Sequence, residues 1–168
     1  MREGISKAKK TKEFYFFFLL VSLLILADRL LKIIFFRIKP FMEFKIASFT
    51  VFSIKTIENY GAAFGILANN QIVLIIVPVI VIILILANLN RILNGKRYRI
   101  PTLLILSGAI GNLIDRMIYG KVLDFISLFS IPYFNLADVM ITIGVFIIVF
   151  MEVFPLRLKQ KLNKHSKK

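Results

Sequence analysis

The sequence predicts an all-α, polytopic membrane protein: four transmembrane helices, a small extracytoplasmic β element and a short surface helix. Three observations lead there. The 168 residues are 58% hydrophobic, above the roughly 45–50% of a soluble domain, and mean hydropathy is +0.82. The apolar residues gather into four stretches, each close to the roughly 20 residues that a bilayer-crossing helix needs. The net charge of +14 collects at the two ends and in one short loop, which leaves the stretches themselves nearly uncharged.

The first stretch, about 14–36, is almost pure Phe, Leu, Ile and Val until Asp28, Arg29 and Lys32 interrupt it. It follows a basic start but lacks the small residues that precede a signal-peptide cleavage point, so it is read as a retained span. Residues 44–57 are rich in Phe, Ile, Val and Thr with partial alternation, which predicts one or two strands on the membrane surface. Gly61 and Gly65 bracket Ala62-Ala63-Phe64 and predict a turn into the short helix. The second span, about 71–89, is broken only by Pro78, which membrane helices tolerate. The third, about 100–118, carries Gly108 and Gly111, small residues that suit close helix packing. The fourth, about 137–154, starts beside Asp138. With no repeat and no linker, residues 1–168 read as one membrane-embedded domain.

Lys and Arg crowd the first 13 residues, the loop 90–99 and the tail after the fourth span, whereas the loops 37–70 and 119–136 are sparse. The positive-inside rule therefore places both termini in the cytoplasm and the two sparse loops outside. The composition also narrows the chemistry. There is no Cys, and the only His is His165 in the basic tail, so neither a thiolate nucleophile nor a His-ligated metal site is available. No cofactor or metal is expected. A nucleic-acid partner is not expected either, since a basic binding face needs a soluble scaffold.

A charge at the centre of a span costs about 2.5–3.5 kcal/mol on translocon scales, yet this chain keeps seven charged groups in or beside its spans. Asp28, Arg29 and Lys32 fall in the outer half of the first span. Asp115 and Arg116 end the third, Asp124 follows in the outer loop, and Asp138 begins the fourth. All converge at one depth near the outer interface, with Asn59, Asn112 and Asn135. Each has a bland reading alone. Asp28 and Lys32 are spaced to pair on one helix face, Arg116 can snorkel, and Asp138 can cap a helix. Together they describe a carboxylate-centred pocket. Two carboxylates about 4 Å apart repel by about 4 kcal/mol at an effective dielectric of 20. One must then hold a proton while the other stays charged, the arrangement of aspartic proteases. Intramembrane carboxylates also serve as proton relays, so a small proton-coupled transporter or channel subunit is the alternative. Such proteins usually place their sites near the midplane and use repeats, and neither feature is visible here.

Four motifs in register resemble one family. Glu58-Asn59-Tyr60-Gly61-Ala62-Ala63-Phe64-Gly65 resembles the N-x-G-x-A-F segment of bacterial lipoprotein signal peptidases (signal peptidase II). Gly111-Asn112-Leu113-Ile114-Asp115-Arg116, then Gly120-Lys121-Val122-Leu123-Asp124-Phe125, is similar to GNxxDR…GxVxDF. Phe134-Asn135-Leu136-Ala137-Asp138 is similar to FNxAD, and Asp28 with Lys32 to the first-helix D-x-x-x-K. Order and spacing agree over essentially the whole chain, although the segment between Asp124 and Asp138 is short for the family. The resemblance implies an aspartic endopeptidase of the bacterial cytoplasmic membrane, with its active site near the outer face. Its substrates would be prolipoproteins, cut just before a diacylglyceryl-modified cysteine, and its other partners membrane lipids. Asp124 and Asp138 match the catalytic pair. Asn59, Asn112, Arg116 and Asn135 match site-lining residues, and Asp28, Lys32, Gly61, Ala63 and Asp115 match supporting positions. Nothing in the sequence signals dimerisation, so a monomer is expected.

Overall fold

The computed structural model describes residues 2–61 and 70–165. Among these residues, five helices and three strands follow in order: α1 (Arg2–Ile38), β1 (Phe41–Ile46), β2 (Phe49–Asn59), α2 (Gln71–Ala87), α3 (Leu89–Gly95), α4 (Arg99–Tyr119), β3 (Val122–Leu128) and α5 (Leu136–His165). The expected surface helix, with Ala63 and Gly65, lies outside the described residues.

All four apolar stretches are helical. Among the described residues, 99–119 and 136–154 are each long and apolar enough to cross a membrane, and α2 with α3 makes a third candidate if counted as one span bent by 61°. The bend falls at Asn88, whose side chain turns back to donate to the Leu84 carbonyl at 2.9 Å. By length and composition the count is thus two or three, against the four expected. At 37 residues, α1 is roughly 55 Å long and carries its apolar run and its charged patch on one continuous helix.

α4 is the hub, packing against α1, α2 and α5. Small residues let α5 come close: a Cβ on Gly144 would lie 2.7 Å from the Pro101 carbonyl oxygen. The buried apolar core holds Phe17 and Val21 of α1, Leu89 and Leu93 of α3, and Leu106 of α4. The outer faces of α1, α2 and α5 leave Leu19, Leu23, Ile80, Phe146 and Phe150 exposed, the surface a lipid environment would cover.

The strands form one antiparallel sheet in the order β1-β2-β3. Residues 44–57 were expected to contain one or two strands; residues 41–59 form a hairpin of two strands through Ala47-Ser48, with Ala47 left-handed at φ 54°. β3 was expected to be loop. It is a strand because β2 supplies its hydrogen bonds along Phe52–Asn59, and Phe134 bridges Ile126 on its far side. A bulge in β2 between Ile54 and Ile57 puts Thr56 within reach of α1, where its hydroxyl donates to the Phe35 carbonyl at 2.9 Å. Phe35 also stacks on Phe125 of β3 at 4.2 Å. These two contacts fix the sheet over the end of α1 that bears the charges.

Candidate active site

Two backbone features deliver the residues. α4 ends at Gly120, left-handed at φ 66°, whose N–H donates to the Arg116 carbonyl at 3.1 Å; glycine takes this conformation without a Cβ penalty. The chain turns there and enters β3, so Asp115 and Arg116 on the last turn of α4 stand beside Asp124. The second feature is the start of α5. The Asn135 side-chain oxygen accepts from the Asp138 N–H at 3.0 Å, and the Asp138 carboxylate accepts from the Asn135 N–H at 3.2 Å. This reciprocal pair is a capping box. Asn135 is therefore the cap, where Asp138 was the residue considered for it, and Asp138 closes the box three residues on.

The Asn135 amide does a second job. Its NH₂ group donates to Asp124 Oδ1 at 2.7 Å and to Asn112 Oδ1 at 3.2 Å. One side chain thus touches Asp124 directly and grips the backbone of Asp138. The other oxygens are also held. Asn59 donates to Asp124 Oδ2 at 2.8 Å, and Asn112 donates to Asp138 Oδ1 at 2.7 Å. Each carboxylate therefore receives two hydrogen bonds from neutral donors.

Asp124 is 1% exposed. Burial, followed by the nearby negative charge of Asp138, pushes its pKa up to about 7, against the pull of the Asn59 and Asn135 hydrogen bonds. A buried carboxyl flanked by a like charge binds its proton more tightly than a free one. Arg116 is half-buried, lies within electrostatic reach of Asp138, Asp124 and Asp115, and donates to the Gly61 carbonyl at 3.3 Å. The Gly61 N–H donates to Asn59 Oδ1 at 2.9 Å, which orients the amide that holds Asp124.

Behind this pair lies a second, ionic layer. Lys32, 4% exposed, places Nζ 2.9 Å from Asp28 Oδ2, 2.7 Å from Asp115 Oδ2 and 3.2 Å from Asn112 Oδ1. Three acceptors meet the three donors of an ammonium. Arg29 pairs with Asp115 and, at 3.0 Å, with Asp28, and donates to the Gly111 carbonyl at 3.1 Å. Asp28, fully buried, also accepts from the Ala137 N–H in the first turn of α5 at 3.1 Å. Two cations and two carboxylates balance, as buried charges require.

The network therefore brings together Asp28, Lys32, Asn59, Gly61, Asn112, Asp115, Arg116, Asp124, Asn135 and Asp138, while Ala63 lies outside the described residues. The expected Asp28–Lys32 pairing is present. Arg29 was noted as a charge in a span but given no role, although it ties α1 to α4. The signal for it was thermodynamic: Asp28 with Lys32 already balanced α1, so Arg29 needed an acid from elsewhere. The arrangement sets two amide-held carboxylates, Asp124 and Asp138, within electrostatic reach of each other and of the Arg116 guanidinium.

A family model described as signal peptidase (SPase) II matches residues 20–154. A lipoprotein signal peptidase of Moorella thermoacetica is 42% identical over 142 residues, covering 82% of this chain and 93% of that one. Another, of Brevibacillus brevis, is 37% identical over 142 residues, covering 82% and 94%. Among solved structures, a bacterial membrane enzyme determined in meso at 2.3 Å resolution superposes with a TM-score of 0.71 at 29% identity, covering 88% of this chain and 90% of that one.

Proposed function

The chain belongs to the signal peptidase II family, and from that premise we propose that it is an aspartic endopeptidase in which Asp124 and Asp138 form the catalytic pair. The family removes signal peptides from prolipoproteins. In this reading the cut falls just before a diacylglyceryl-modified cysteine. The enzyme sits in the bacterial cytoplasmic membrane as a four-span monomer with both termini inside. The family match supports peptide cleavage over proton-coupled transport, the other class that intramembrane carboxylates allowed.

The observation that carries the aspartic assignment is Asn135, whose side-chain NH₂ donates to Asp124 and whose backbone N–H donates to the Asp138 carboxylate, while Asn59 and Asn112 donate to the other oxygen of each. We assign the shared proton to Asp124, whose pKa is raised to about 7, and the negative charge to Asp138, which stands in the first turn of α5, where the helix dipole favours an anion. Asp138 takes a proton from a water molecule as that water attacks the scissile carbonyl carbon. Asp124 gives its proton to the carbonyl oxygen, forming a neutral tetrahedral diol. Return of the hydroxyl proton to Asp124, and delivery of the Asp138 proton to the amide nitrogen, break the C–N bond and restore the pair. Arg116 is suited to hold the substrate backbone beside the carboxylates.

The test uses purified full-length protein and a lipidated precursor peptide. Asp124→Asn and Asp138→Asn are each expected to lose more than about a thousandfold in rate while remaining folded. Substantial turnover by either variant rejects the pair. Chelators separate the remaining possibility, a carboxylate-held metal. Asp28 and Asp115 are already neutralised by Lys32 and Arg29, so they offer no free anionic cradle. Activity is expected to survive EDTA and phenanthroline, and loss restored by zinc or magnesium overturns this.

A further inference from the structure

Two buried hydroxyls of the sheet take no part in the network around the carboxylates. Ser53 of β2 and Ser127 of β3 are register partners, 1% and 4% exposed. A buried hydroxyl is costly unless it is hydrogen-bonded, and both of these are spent on one short segment, residues 129–135, which joins β3 to α5. The Ser127 hydroxyl donates to the Ile131 carbonyl, and the Ser53 hydroxyl is hydrogen-bonded to the Tyr133 hydroxyl at 2.7 Å. The segment has to reverse direction at once. Phe129 and Ser130 are both left-handed, at φ 51° and 58°, and the Ile131 N–H closes on the Leu128 carbonyl at 2.9 Å. Positive φ at both central positions is the pattern of a type I′ turn, which favours Asn and Gly. This chain supplies Phe and Ser, whose Cβ atoms resist it, so the turn alone gives the returning segment a weak hold.

What the segment delivers is Asn135. Phe134 pairs with Ile126 of β3, its N–H donating to the Ile126 carbonyl at 2.8 Å, and the next residue is the one that donates to Asp124 and caps the helix bearing Asp138. The Ser127 and Ser53 hydroxyls bind the chain on the approach to that residue, between the strained turn and the carboxylates. We propose that Ser53 and Tyr133 are positioning residues of the cleavage reaction: their hydrogen bond holds residues 131–134 on the sheet and so fixes the Asn135 amide on Asp124. The inference rests on the reading of Asp124 and Asp138 as the catalytic pair. Neither hydroxyl exchanges a proton with the substrate; both act through Asn135.

The experiment separates positioning from packing. Full-length Tyr133→Phe and Ser53→Ala, each lacking one hydroxyl, are assayed on the lipidated precursor peptide at matched amounts of folded protein, beside Asp124→Asn. Each is expected to lower kcat about three- to tenfold with KM unchanged. The double variant is expected to fall no further than the single ones, since all three lose the same bond. The Asn135 hydrogen bond pulls the Asp124 pKa down, so a loosened Asn135 lets it rise, and the decline of cleavage near neutral pH is expected to move to higher pH. The charged groups that face Asp124, namely Asp138 of α5, Lys32 of α1 and Arg116 of α4, are unaltered in both variants. Thr50→Ala removes a hydroxyl of the same strand that donates to Glu43 instead, and is expected to change neither kcat nor the pH profile. Wild-type kcat and pH dependence in folded Tyr133→Phe and Ser53→Ala overturn the proposal and leave the bond a packing contact. A raised KM at unchanged kcat overturns it by making Tyr133 a substrate contact, and an equal effect in Thr50→Ala by making the loss a general weakening of the sheet. Substantial turnover by Asp124→Asn is a separate failure, of the catalytic pair itself, and it is recognised without any change at Tyr133.

Discussion

At the scale of single residues, Asp124 and Asn135 make the sharpest predictions. Asp124 has a folded pKa raised to about 7 from an ordinary value of 3.8. A raised carboxyl favours folding while protonated, and that contribution is lost as pH rises through the folded value. The melting temperature of the solubilised wild type is therefore expected to fall as pH rises from about 4 through about 7, and Asp124→Asn is expected to lack that fall. Cleavage should decline through the upper end of this interval, around pH 7, because the proton given to the carbonyl is the one being lost. A melting temperature that rises through this interval would contradict the burial assigned to Asp124. Asn135→Ala removes a helix cap, worth about 1 kcal/mol, together with two side-chain hydrogen bonds. It is expected to lower the melting temperature by a few degrees and, at matched amounts of folded protein, to slow cleavage about ten- to a hundredfold. A change in stability alone would make Asn135 a cap only.

At the scale of elements, close approach of α4 separates packing from chemistry. A Cβ on Gly144 meets Pro101 and Ile105, remote from the carboxylates, whereas one on Gly111 meets Asp28 Oδ2 at 2.9 Å. Both alanine variants are expected to be destabilised by about 1–3 kcal/mol through overpacking. Gly144→Ala should keep the specific activity of its folded fraction. Gly111→Ala should lose activity as well, since it displaces the carboxylate that holds the start of α5. Equal specific activities, measured by cleavage per folded molecule, would show that Asp28 can shift without consequence. The helices were legible because their apolar runs are long and their interruptions few. β3 was not. Asp124 and Ser127 are buried polar residues within it, so its sequence lacks the alternation of a half-buried strand, and its strand character comes from β2 alongside. The internal pairing of α1 could be read from the four-residue spacing of Asp28 and Lys32. The partnership of Arg29 with Asp115 could not, because 86 residues separate them and no local pattern records a contact between helices. The motif residues were legible as a set. The double duty of Asn135 was not, because a cap and a carboxylate ligand look the same in one dimension.

At the scale of the whole molecule, the site sits at one end of the helices, where the sheet covers them, and the basic segment 90–99, which includes most of α3, sits at the other. There Arg99 meets Glu13 at 2.7 Å, and Arg97 and Tyr98 reach Met151 and Glu152. The absence of cysteine makes orientation directly measurable. In intact cells, a cysteine replacing Lys96 is expected to resist a membrane-impermeant thiol reagent, and one replacing Ser48 to react. Labelling of Lys96→Cys from outside would put the carboxylates on the cytoplasmic face, where the proposed substrate does not present its cleavage point.

The balanced layer of Asp28, Arg29, Lys32 and Asp115 also bears on how the chain is made. Synthesis runs from the N-terminus, so α1 leaves the ribosome bearing two cations and one acid of this layer, Arg29, Lys32 and Asp28, long before their second counter-ion exists. Until α4 arrives, the patch of Asp28, Arg29 and Lys32 on α1 carries an unmatched positive charge, which disfavours a settled position deep in the bilayer and keeps that helix near water or the insertion machinery. Translation of Asp115 ends the wait. Docking of α1 then becomes a late event in biogenesis, and a chain truncated before α4 has a reason to be unstable rather than merely inactive.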